Sequence, residues 1–262
     1  MIAPDSPGEG RRVVSWAHGT TGMGDAACPS AQPDPARELT LYFAPGSTTQ
    51  IDYGIPGLQR FVDDGWVVVA TDYQGLGTPE IVGAACMSPG VPIVGLRQPG
   101  LGAAIGSGGP LPPDAHLLMI LAGMAVAFPD TLSLDDVLTP VGRTVLDAGW
   151  NTQSIHHLND SLARAERHEG PVMAVDPAKL PAWTEAFTAG SATLRQPVAP
   201  VLVLRDAQLD DGPCPTPWQL GYIAAVQALG GDVAETVYPD DDHFSLPGAS
   251  IDHAREWLAA KF

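Results

Sequence analysis

The chain has 262 residues, 45% hydrophobic and 16% charged, enough apolar material for one large α/β domain or for a core domain carrying an insertion. Thirteen basic residues against thirty acidic ones give a formal net charge of −17, which repels phosphate backbones and anionic membrane surfaces and argues against nucleic acid as a partner. No run is apolar enough to form a transmembrane segment: the longest, residues 117–128, suits a buried helix, and the first residues carry neither the basic region nor the apolar core of a signal peptide.

Val13-Val14-Ser15-Trp16-Ala17 is a β-branched and aromatic run ending on the turn cluster His18-Gly19-Thr20-Thr21-Gly22, and it predicts a first strand. Residues 53–64 predict a helix with Pro56 near its first turn. It leads into Gly65-Trp66-Val67-Val68-Val69-Ala70-Thr71-Asp72, a strand apolar on both faces, as in a parallel sheet covered by helices. Strand, helix, strand is the unit of a doubly wound α/β fold. After a short helix, at most residues 80–87, residues 91–96 form a third candidate strand weakened by Pro92.

From about residue 114 to 190 the sheet signal vanishes, and helices are predicted over 117–128, 133–148, 154–168 and 180–187. A helical insertion between strands is the usual form of a cap domain. A strand returns at 198–204, followed by a helix over 218–229, a short strand over 235–238 and an amphipathic helix over 251–262. The fold class expected is therefore α/β: a mostly parallel sheet flanked by helices, with residues 1–113 and 191–262 as the core and 114–190 as the cap.

Three pieces carry candidate chemistry. A strand ending in His18-Gly19 and followed by the small residues Thr20 and Thr21 can present backbone N–H groups to a developing oxyanion, because no bulky side chain blocks the approach. Read alone, it is equally a glycine-rich turn with a structural histidine. His243 follows the last predicted strand in a loop with Asp240, Asp241 and Asp242, where a general base can reach both an acid and a nucleophile. Its plainer reading is a surface histidine in an acidic loop. The loop after the 198–204 strand offers Asp206, Asp210 and Asp211, and acid before histidine is the chain order of this kind of site.

Ser15-Trp16-Ala17-His18-Gly19-Thr20-Thr21-Gly22-Met23-Gly24-Asp25 resembles the oxyanion-side loop of the secretory lipase family of actinobacteria and fungi, α/β-hydrolases acting on carboxylic esters. The stretch from Gly65 through Asp72-Tyr73-Gln74-Gly75-Leu76-Gly77 is similar to the same family, as are pieces of the helical region, the Pro200-Val201-Leu202-Val203-Leu204 strand and the histidine loop. The resemblance implies an α/β-hydrolase core, a small ester or lipid-like substrate, and roles for His18, for Asp210 or Asp211, and for His243. It also implies secretion, which is typical of the family, although this chain starts near the end of what would be the family's second strand.

The nucleophile departs from the pattern. In this fold it sits at the centre of Gly-x-Ser-x-Gly on a sharp strand-to-helix turn, and no such pentapeptide exists here. The nearest counterpart, Gly95-Leu96-Arg97-Gln98-Pro99-Gly100, places Arg97 beside Gln98 where the serine belongs. A guanidinium has no usable lone pair and cannot attack a carbonyl. Two serines lie nearby. Ser88, in Cys86-Met87-Ser88-Pro89-Gly90, follows Asp72 too closely for a helix and a strand to fit between, and Ser107, in Gly106-Ser107-Gly108-Gly109, lacks a preceding strand.

Two functions follow from these residues: an ester hydrolase with a relocated nucleophile, or a non-catalytic homologue that binds a small apolar ligand or a partner. Neither calls for a cofactor. Cys28, Cys86 and Cys214 have no C-x-x-C spacing, and the count allows one disulfide with a free thiol or three thiols. His156 and His157 are adjacent, point to different sides of a helix and make a poor metal pair.

Overall fold

The computed structural model describes residues 1–17, 58–70, 84–87, 114–149, 152–153, 155–190, 192–207, 216–242 and 245–262. Packing divides the chain into two compact units. The first comprises Met1–Gly77, Pro113–Ile120 and Thr139–Val172, and the second Thr78–Pro112, Leu121–Leu138 and Met173–Phe262.

In the first unit, strand β1 (Val13–Trp16) pairs in parallel with β2 (Val67–Ala70), Val13 opposite Val67 and Trp16 opposite Ala70. Helix α1 (Leu58–Asp63) buries Leu58, Phe61 and Val62, the i, i+3, i+4 stripe that faces a core. Gly65 ends it at φ 86°, a left-handed conformation that glycine adopts without Cβ strain. The N–H of Gly65 reaches the Val62 carbonyl at 2.9 Å and that of Trp66 the Phe61 carbonyl at 2.9 Å, the paired bonds of a Schellman turn. The accompanying apolar contact is Phe61 edge-on to Trp66, ring centres 5.5 Å apart. This turn delivers the chain into β2. Ile2 bridges Val68 in the antiparallel sense.

Helix α2 (Ala115–Ala127) contributes residues to both units. Helices α3 (Pro140–Gly149) and α4 (Ile155–His168) pack together in the first unit. Leu158, Leu162 and Ala165 are the buried stripe of α4. Gly142 lets α3 approach closely: a Cβ there would lie 2.4 Å from the Val172 carbonyl oxygen.

Among the described residues the second unit holds three parallel strands in the order β3–β4–β5: Ala84–Met87, Val201–Asp206 and Val233–Tyr238. The central strand is buried almost throughout. Val201 and Val203 on one face pack against Tyr222, Ile223 and Val226 of α6 (Thr216–Ala228). Leu202 and Leu204 on the other pack with Ala254 of α7 (Leu246–Ala259). A strand covered by helices on both faces reads as a continuous apolar run, which is why 200–204 was legible. Helix α5 (Pro181–Ala189) also belongs to this unit, with Trp183, Ala186 and Phe187 buried.

Two local expectations are corrected. Residues 84–87, expected at the end of a short helix, are strand β3, paired Ala84 to Val201 and Met87 to Leu204. Short runs of small apolar residues suit either structure, and here pairing to a buried neighbour decides. The helix expected over 133–148 is broken. Ser133 caps a single 3-10 turn (Leu134–Asp136) with a reciprocal capping box, and Leu138 then bridges Met173. Pro140 opens α3 as its first residue, where its missing N–H costs nothing, and Thr139 accepts the Gly142 N–H at 3.1 Å. The third candidate strand, 91–96, lies outside the described residues.

Candidate active site

Because β3, β4 and β5 all run in parallel, their carboxyl ends lie at one edge of the sheet. Sites in open α/β sheets form beyond that edge. The chain leaves it three times: after Met87, after Asp206 and after Tyr238. In sequence, Ser88 comes next after the first exit, Asp210 and Asp211 follow the second, and His243 follows the third.

The sequence-predicted residues themselves, Ser88, Ser107, Arg97, Gln98, Asp210, Asp211, His243, and His18, Gly19, Thr20 and Thr21, all lie outside the described residues. What is described is the framework that bears on them. One expectation changes directly: Ser88 does have a strand immediately before it in sequence, β3, although the spacing from Asp72 argued otherwise.

The end of β4 is a knot of polar side chains. Asp206, read from sequence as one of three loop aspartates, is instead the last residue of the strand and is fully buried, 0% exposed. Its carboxylate accepts from the Thr216 hydroxyl at 3.3 Å and from the Gln219 amide at 3.4 Å, both on α6. Arg205 donates to the Asp206 carbonyl at 2.9 Å and forms an ion pair through Nε with Glu235 of β5. Sequence reasoning missed this cluster because an aspartate at a strand end looks like solvated loop. The threonine and glutamine that betray its burial stand ten and thirteen positions later.

At the exit from β5, Asp242 and Ser245 form a second device. The Asp242 N–H donates to the Ser245 hydroxyl at 3.0 Å, and the Ser245 N–H donates to the Asp242 carboxylate at 2.8 Å. The Leu246 N–H reaches the Asp242 carbonyl at 2.9 Å. These reciprocal bonds tie Asp242 to Ser245, the residue that precedes α7, and His243 and Phe244 stand between them in sequence. Tyr238, the last residue of β5, shares a hydrogen bond with His253 Nδ1 at 3.2 Å. Burial, and then the negative charge of Asp241, push its phenol above the ordinary value.

Among the described residues no group of His, Cys, Asp or Glu is arranged to hold a metal ion, and no helix is long and apolar enough to cross a membrane.

Solved structures with similar folds are esterases and lipases. Lipase A from Candida antarctica superposes with a TM-score of 0.63 at 13% identity, over 99% of this chain and 72% of that one. A point mutant of the rice cell wall degrading esterase LipA from Xanthomonas oryzae gives a TM-score of 0.59 at 15% identity, over 96% of this chain and 79% of that one. A second LipA mutant gives 0.51 at 17% identity over 69% of this chain, and there the chain spans only 51% of the other's length. These neighbours are α/β-hydrolases, and at such identities the likeness defines the fold: helices with small parallel sheets on the α/β-hydrolase plan. No protein-family model matches the chain, and no characterised protein matches it by sequence.

Proposed function

We propose that this chain is a carboxylic ester hydrolase acting by acyl transfer on a small ester or lipid-like substrate. Ser88 is the nucleophile in this reading, His243 the general base, and Asp210 or Asp211 the acid that orients it. The observation that supports it is strand β3, which ends at Met87 and lies parallel to the two strands leading to the acid and histidine segments. Residues 114–190 are the cap in this reading.

The chemistry follows from the groups. Imidazole removes the Ser88 hydroxyl proton as Oγ attacks the ester carbonyl, and the aspartate holds the ring in the required tautomer. Backbone N–H groups of the His18-Gly19-Thr20-Thr21 loop are assigned to the oxyanion. The protonated imidazole then gives its proton to the departing alcohol, and water repeats the sequence on the acyl-enzyme. No cofactor enters.

The test is a fluorophosphonate probe with the adduct mapped by mass spectrometry, beside p-nitrophenyl butyrate hydrolysis by the native protein and by Ser88→Ala and His243→Ala. The expected result is an adduct on Ser88 and a fall in kcat on the order of a thousandfold or more in either variant. An adduct on Ser107 would move the nucleophile there. Neither adduct nor hydrolysis would sink the enzyme and leave the ligand-binding homologue to which Arg97 points.

A further inference from the structure

We infer that the outer edge of β5 docks an extended basic polypeptide segment, which joins the sheet as a further strand with its cations at Asp232 and Asp240. The inference is independent of the hydrolase reading.

In the order β3–β4–β5, strand β5 is paired on one side only among the described residues. The Asp232 carbonyl accepts the Val201 N–H at 2.9 Å, so the alternation along a strand turns the backbone groups of Ala234 and Thr236 towards β4 and those of Val233, Glu235 and Val237 outward. Ala234 and Glu235 are exposed and Val237 is 41% exposed, so this side is open to water. Edge strands are ordinarily blunted by a lysine, a proline or a bulge. β5 has none of these: its six residues keep an unbroken register, from Val233 opposite Val201 to Tyr238 opposite Asp206. Its one charge, Glu235, is paired with Arg205 of the neighbouring strand.

Charge selects the occupant. Exposed carboxylates stand at both ends of the strand, Asp232 before it and Asp240 after it, about 26 Å apart along an extended chain. A second copy of this chain fits badly. The two antiparallel registers that overlap the strand most fully bring either Glu235 against Glu235 or Asp232 against the Asp240 of the other copy, and like charges directly opposite destabilise a pair. A segment with β-branched residues in its middle and Lys or Arg at its ends meets the outward N–H and C=O groups with its own backbone and the acids with its cations. The net charge of −17 draws such a segment in from a distance.

The test uses a labelled nonapeptide, Lys-Thr-Val-Thr-Val-Thr-Val-Thr-Lys, beside two analogues. One has Glu at both ends; the other keeps the lysines but is N-methylated through its central residues, so it holds its charge and cannot pair. Fluorescence anisotropy reads binding, and amide hydrogen exchange reads the edge. The lysine-ended peptide should bind at least tenfold more tightly than either analogue and slow exchange at Glu235 and Val237 at least tenfold. Val237→Pro, which removes an outward N–H and spares the ladder to β4, should weaken binding at least tenfold. Asp232→Asn combined with Asp240→Asn changes only exposed side chains, so it serves even if the proline variant folds poorly, and should weaken binding at least fivefold. No binding, or equal binding of the N-methylated analogue, which is what net charge alone would give, would overturn the inference. A native dimer in sedimentation that Val237→Pro separates would put a second copy on this edge and overturn it as well.

Discussion

Strands β4 and β1 are both short runs rich in valine, yet their surroundings are opposite. β4 lies between two parallel neighbours with α6 on one face and α7 on the other, and Val203 and Leu204 are each 0% exposed. β1 pairs with β2 alone among the described residues, and its side chains alternate between exposed and half-buried, Val13 being 52% exposed. Strand propensity is similar in the two, so neighbours, not propensity, set what each apolar residue contributes. The fully covered strand is also the one whose end carries the polar knot. A site that depends on exact placement gains from the stiffer support.

The largest expected effect tests this contrast directly. Leu204→Ala should cost about 3 kcal/mol, within the range for opening a cavity at a fully buried leucine. Val13→Ala, half in water already, should cost no more than about 0.5 kcal/mol. Urea unfolding of both variants measures the gap, and equal losses would break the comparison.

A smaller pair sharpens it on the helices. Gly142→Ala in α3 should destabilise by about 2 kcal/mol, because the added methyl meets a backbone carbonyl that cannot swing aside. Gly221→Ala in α6 has no described atom within 4 Å of its new methyl and should stabilise by roughly 0.5–1 kcal/mol. The sign reverses although both glycines sit inside helices. Thermal denaturation of the two variants reads the two directions.

What the sequence made legible follows the same division. β4, its flanking helices and α4 were readable because burial imposed a period on their residues: continuous in 201–204, every third or fourth in Leu158, Leu162 and Ala165. β3 was not, because Ala84-Ala85-Cys86-Met87 has no period of its own and becomes a strand only through Val201–Leu204 beside it. The same cause hid Asp206. Its character comes from Thr216 and Gln219, which folding brings to it and which no local pattern announces. Residues 84–87, immediately before Ser88 in sequence, were for that reason read as the end of a helix and not as a strand.

The smallest effect concerns how the first unit holds its element ends. Asp114 caps α2, accepting the His116 N–H at 2.7 Å and approaching His116 Nδ1 at 3.2 Å, while Asn159 accepts the Ala115 N–H at 2.7 Å. Burial raises the Asp114 carboxyl, but the hydrogen bond and charge of His116, with the N–H groups of His116 and Leu117, outweigh it and hold the group below its ordinary 3.8. A carboxyl lowered in the folded state stabilises above its ordinary value, and that contribution is lost as the pH falls through the lower folded one. Asp114→Ala should therefore cost about 1 kcal/mol at neutral pH, the usual worth of an N-cap. Asp114→Asn, which keeps an acceptor for the cap and loses only the charge, should cost less. The difference between native protein and Asp114→Ala should persist down to about pH 5 and shrink only below 3.8, as unfolding curves across that range would show. A difference that vanished already well above 3.8 would show that the Asp114 carboxylate does not hold this end of α2.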